Sequence, residues 1–249
     1  MDHPLSPTRC DWTCRLLHGR RLGADPGEVP GWLAQAYADY RARLDDPRYP
    51  CFFGQAAERQ AEMFYTSGSD APESVGAAMS RFVELGRQTA YARFSLAMFF
   101  APDPAMDSHE AFLRRFWGAL QRLNAADAGP MRPDDPDDPL WEFSFDGRKM
   151  FVVGTSPTYR LRRSRKLGDG MLLLFQPREL FVDPVTGQAI PAEVRRRIHA
   201  RMLDYDGMTV HPDIGFYGDP GNREWKQYVL PDDNTPTTGA CPFRHGGKA

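Results

Sequence analysis

The chain has 249 residues, with 31 Lys and Arg against 33 Asp and Glu for a formal net charge of −2, so no global field draws it to nucleic acid or to an anionic membrane. Hydrophobic residues at 41% supply a folded core, while the longest apolar runs, such as MLLLF at 171–175, fall far short of the roughly 20 residues of a membrane span. Four cysteines do not make a disulfide scaffold, and an N-terminus without an apolar leader points to a cytoplasmic protein.

Residues 1–29 form a Pro- and Gly-punctuated lead-in. Its Cys10 and Cys14 are spaced C-x3-C with no second Cys/His pair at zinc-like spacing, and read as ordinary reduced thiols. The segment 30–46 then places Trp32, Leu33, Ala36, Tyr37, Tyr40 and Leu44 at helical spacing. YPCFFG at 49–54 reads as a short apolar strand closed by Gly54, a helical piece follows at 55–61, and EMFYTSG reads as a second strand. A helix is predicted from residue 71, a buried strand in ARFSLAMFF, and a second long helix from Ser108, its candidate N-cap.

Residues 128–140, rich in Pro, Asp and Gly, read as a solvated loop, with an Asp-rich metal site as the alternative. WEFSFDGRKMFVVGT is a predicted hairpin, because Asp146-Gly147 satisfies a primed two-residue turn. GMLLLFQP adds a central strand and AEVRRRIHARMLDYD a late helix. This order of elements predicts a single α+β domain, a mixed and largely antiparallel sheet with helices packed against it.

Cys51 has two readings. It is a small core hydrophobe, or a reactive thiol whose position before a helix start favours the thiolate. Thiol catalysis needs a histidine partner, and His211 in the turn-rich HPDIGFYGDP is the best placed; His199 decorates its helix, and His3, His18 and His245 lie near the ends. Arg162, Arg163 and Arg165 in RLRRSRKLG form either a solvated face, extending to a nucleic-acid patch, or a local site for a dianionic ligand. FYGDPGNREWKQYVLPDDN gathers Tyr217, Asp219 and Glu224 in a loop suited to ligand contacts. No G-x-S-x-G, Walker or H-E-x-x-H motif is present.

Taken together, the ordered blocks YPCFFGQAAERQ, DGRKMFVVGTSPTYRLRRSRKLG, FQPRELF and HPDIGFYGDPGNREWKQYVLPDDN resemble the YqcI/YcgG family over roughly residues 30–234. The tail at 235–249, with CPFRHGG, is similar to that of some members. The resemblance implies a heme b enzyme that N-hydroxylates the guanidinium of arginine or a related guanidino compound or amine in natural-product biosynthesis. Electrons would come from a separate donor, or hydrogen peroxide would be the oxidant. It implies Cys51 as axial thiolate between Phe52 and Phe53 walls on opposite sides of an extended segment, with His211 and Cys241 as rival ligands. It also implies Arg162, Arg163 and Arg165 as the propionate clamp, and Glu224 or Asp219, with Tyr217 beside them, orienting the substrate cation. A histidine frequent in the family near the position of Tyr159 is absent here. Two other readings stand: a heme-binding protein without turnover, and a thiol enzyme with Cys51 as nucleophile.

Overall fold

A computed structural model of the chain describes residues 16–18, 29–69, 72–129, 135–182 and 191–244. Cys10, Cys14, His3 and His245 lie outside the described residues. The sheet consists of β1 (Leu17–His18), β2 (Met63–Ser67), β3 (Ser95–Phe99), β4 (Ser144–Phe145), β5 (Arg148–Thr155) and β6 (Leu172–Pro177), in the spatial order β1-β2-β3-β6-β5-β4. The helices are α1 (Gly31–Leu44), α2 (Phe52–Arg59), α3 (Pro72–Gly86), α4 (His109–Ala126), α5 (Ala192–Asp206) and α6 (Glu224–Tyr228). This is the predicted α+β body: β2 and β3 pair in parallel, every other pairing is antiparallel, and β6 is central. No helix among the described residues is long and apolar enough to cross a membrane.

Alternation along the strands divides the core in two. Phe64, Leu96, Met98, Val152, Leu173 and Phe175 meet α3, α4 and α6 on one face, whereas Tyr65, Ala97, Phe99 and Leu172 meet α1 and α2 on the other. Leu17 and His18 of the lead-in pair with Tyr65 and Phe64, and Cys241 and Phe243 of the tail are buried in the first core. Gly154 in β5 lets α4 and α6 approach closely, since a Cβ there would lie 2.7 Å from the Phe116 ring and 2.9 Å from Val229.

Local chemistry explains most boundaries. Asp146 and Gly147 both take positive φ, 46° and 76°, as the primed hairpin turn requires. The Ser108 side chain accepts from Ala111 N at 3.2 Å and caps α4 as predicted. YPCFFG is not a strand: α2 begins at Phe52 and ends at Arg59, with Cys51 as N-cap, its Sγ accepting from Gly54 N at 3.3 Å. A thiol is not among the usual capping groups, so the composition concealed a cap. In the Asp-rich loop, Asp135 and Asp138 accept from backbone N–H groups of Asp137 and Leu140 at 2.9 and 2.7 Å, which is turn chemistry. No group of three metal-ligating side chains occurs among the described residues.

Candidate functional site

Because β6 runs antiparallel to both β3 and β5, strands β2, β3 and β5 all point the same way, and Ser67, Phe99, Leu172 and Thr155 line up along one edge of the sheet. The loops leaving this carboxyl edge carry several of the sequence-predicted residues. Ser156 N donates to Arg165 O at 3.0 Å, placing the arginine segment at the end of β5. Tyr49 OH donates to Ser164 O at 3.1 Å and brings the chain just before Cys51 to the same end.

Arg162 and Arg165 are neither a solvated face nor free donors, whereas Arg163 is exposed. Arg162 is 1% exposed and donates to Pro231 O at 2.7 Å, Asp233 O at 2.8 Å and Asn234 Oδ1 at 2.5 Å. Asp232 accepts from the backbone N–H groups of Arg160, Leu161 and Arg162 at 2.9–3.2 Å and fixes the turn. Arg163 donates to Tyr205 O. Arg165 donates to Tyr228 O at 3.0 Å and Gln227 O at 3.1 Å. The Arg162 and Arg165 guanidiniums therefore satisfy carbonyls of residues 227–233 that burial would otherwise leave unpaired, while Arg163 serves the end of α5.

His211 is buried with both ring nitrogens engaged: Nε2 with Thr235 O at 3.0 Å, while Nδ1 accepts from Asp213 N at 3.1 Å. Burial, with Arg162 beside it, keeps its imidazole neutral. Cys51 is half-buried. The amides of Gly54 and Phe53 favour its thiolate, as the sequence suggested, but burial outweighs them and pushes the thiol up. Phe52 and Phe53 stand side by side in the first turn of α2, ring centroids 4.9 Å apart, and are not walls on opposite sides of an extended segment. Arg197 and Arg201 lie over the Phe52 ring at 5.9 and 6.0 Å. Cys241 is remote from Cys51: it packs in the core on the opposite face of the sheet, where burial raises its thiol to about 11.

One histidine escaped the sequence reading. His109 opens α4, its ring 5.3 Å from Tyr159 and 5.8 Å from Phe112. Both ring nitrogens are closed to solvent and have no hydrogen-bond partner among the described residues, and burial holds the imidazole neutral. Nothing in its spacing marks it, since a histidine after an N-cap is an ordinary helix residue.

A second cluster lies at the other end of β5. Glu142, 1% exposed, accepts Nε of Arg178 at 2.9 Å and is paired with Nη2 as well. Glu224, 3% exposed, has a 3.4 Å contact from Arg178 Nη2 and a 3.3 Å bond from Gln227 Nε2. Burial raises Glu224 to about 7, with Arg178 opposing the shift and Glu142 adding to it. Tyr217 lies under the Arg178 guanidinium at 4.0 Å and donates to Leu140 O at 3.0 Å. The structure thus unites Glu224 with Tyr217 but leaves Asp219 exposed in the turn that links Phe216 to Asn222. Arg178 follows β6 at the end paired with Met150, so this cluster and the carboxyl edge at Thr155 are about 17 Å apart along the strand. Arg165, through the α6 carbonyls, is the physical link between them.

No solved structure matches the chain. It is 33% identical over 247 residues to the Streptomyces lavendulae protein named "Putative N(omega)-hydroxy-L-arginine synthase DcsA", covering 93% of this chain and 90% of that one. It is also 30% identical over 230 residues to "Uncharacterized protein YcgG" of Bacillus subtilis (strain 168), covering 88% and 90% of the two chains. Against "Uncharacterized protein YqcI" of the same strain the identity is 28% over 227 residues, 86% and 89% of the two. The model of the YqcI/YcgG family matches residues 40–244, and the chain belongs to that family.

Proposed function

We propose that the chain N-hydroxylates a guanidino compound or amine, L-arginine or a derivative first among them, with heme b as cofactor and the reaction centre at the carboxyl edge of the sheet. The observation that carries the reaction is the similarity to the relative named for N(omega)-hydroxy-L-arginine synthesis, which runs along nine-tenths of both chains. Converting N–H to N–OH with dioxygen sends the second oxygen atom to water and consumes two electrons and two protons from a separate donor. Hydrogen peroxide carries the oxygen atom and both electrons itself.

Two sets of side chains at the carboxyl edge could each face an iron-centred macrocycle, one on either side of the sheet. On the first, His109 has unpartnered nitrogens and the fully buried Phe112 and Tyr159 exclude water; on the second, Cys51 offers a half-buried thiol. Bound there, heme would supply the iron that activates oxygen or peroxide. Arg162 and Arg165 add positive charge beside it, although most of their donors serve carbonyls.

Glu224 takes a different role in this reading from the one its sequence suggested. A substrate cation held by Glu224 would lie about a strand length from Cys51, so the two assignments exclude one another. Glu224 instead acts as a positioning residue: with Arg178 it holds the start of α6, whose last carbonyls hold Arg165. Thiol catalysis is the weaker alternative, because Cys51 retains its proton and His211 bonds to Thr235 and Asp213 rather than to the thiol. The test is to load the purified protein with hemin and supply L-arginine with peroxide or a reducing system. A product carrying one added oxygen on the guanidinium supports the proposal. Heme-loaded protein that leaves arginine, other guanidines and amines unchanged refutes it.

A further inference from the structure

We propose that His109, not Cys51, provides the axial ligand to the iron-centred group. The inference rests on the heme reading above and makes it specific. It stands on the placement of the His109 ring. Ser108 already caps α4, so the helix does not need the imidazole for its own hydrogen bonding. The ring is held edge-on between Phe112 and Tyr159, with interplanar angles of 68° and 73°. Both nitrogens are shut away from water without a partner among the described residues. A buried imidazole normally spends one nitrogen as donor and the other as acceptor, as His211 does. Leaving both unused is a cost that a ligand bond at one of them would lessen.

The two candidates differ in what binding would demand of them. An imidazole binds a metal through a ring-nitrogen lone pair, and both His109 ring nitrogens are without a hydrogen-bond partner among the described residues. Cys51 is committed as the N-cap of α2, its Sγ accepting from Gly54 N at 3.3 Å. A nitrogen ligand fixed at the first turn of an 18-residue helix is also rigidly placed.

The experiment is a hemin titration of the full chain, followed by the absorption spectrum of the ferrous carbon monoxide complex. Wild type, His109→Gly, His109→Gln and Cys51→Ser are compared, with far-ultraviolet circular dichroism confirming that each is folded. The expected result is a histidine-type band in wild type that Cys51→Ser leaves in place, that His109→Gly loses and that free imidazole restores to His109→Gly. If His109→Gly does not fold, His109→Gln decides, and it too should lose the band. A red-shifted thiolate band that disappears in Cys51→Ser and persists in both His109 variants overturns the inference while leaving the heme reading intact. A wild-type protein with no Soret band after hemin addition overturns the heme reading and the inference with it.

Discussion

Glu224→Gln tests the electrostatics of the carboxylate cluster without removing a side chain. The carboxyl of Glu224 is shifted from 4.5 to about 7 because burial disfavours its charge more than Arg178 restores it. Ionisation in the folded state is therefore harder than in the unfolded chain by about 2.5 pH units, or about 3 kcal/mol. The folded protein holds this proton where the unfolded chain has released it. The corresponding stability is fully present below about pH 4.5 and is lost as pH rises through about 7. Glutamine stands in for the neutral acid, and its carbonyl still accepts from Gln227 or Arg178. Urea unfolding at pH 5 and pH 8 is the assay. Between those values wild type should lose roughly 2–3 kcal/mol more than Glu224→Gln does, and the variant should be the more stable protein at pH 8. Parallel stabilities for the two proteins across this range would show that Glu224 is solvated or fully paired, and would refute the account of the cluster.

Removing the other side of the cluster should do the opposite. Arg178→Met strands Glu142 and Glu224 as buried carboxylates and should cost about 3–5 kcal/mol at neutral pH, read as a fall in the urea midpoint that lessens in acid. Asp232→Ala deprives three consecutive backbone N–H groups of their acceptor; a loss of about 2–4 kcal/mol is expected, together with faster hydrogen exchange at residues 160–162. Ser108→Ala removes the α4 cap and should cost about 1 kcal/mol in thermal or urea unfolding. Cys51 should alkylate more slowly at neutral pH than an unstructured cysteine and accelerate only at higher pH, since its thiol is raised; rapid modification at pH 7 would contradict that placement.

Much of the fold was legible wherever one short segment decides the outcome. The primed turn at Asp146-Gly147, the cap at Ser108 and the apolar β6 run each contain their own physical instruction. The start of α2 was not legible, because Cys51 caps it and two phenylalanines in succession mimic a strand. The candidate site was harder still. RLRRSRKLG announces its charge, but whether its donors are free depends on carbonyls of residues 227–233, more than 60 positions away. Glu224 was singled out from its own loop, yet Glu142 and Arg178, which set its proton affinity, come from the hairpin and the end of β6. His109 left no trace in the sequence, since its isolation arises from Tyr159, fifty residues further on.

The central claim is N-hydroxylation, and the most direct measurement follows the oxygen atom. Heme-loaded protein is given L-arginine and isotope-labelled oxidant, labelled hydrogen peroxide in one arm and labelled dioxygen with a reducing system in the other, and the product is analysed by fragment mass. The account predicts one labelled oxygen on a guanidinium nitrogen, with no product from protein without heme. Labelled oxygen on carbon, or heme-loaded protein that returns arginine, other guanidines and amines unchanged in both arms, would contradict it.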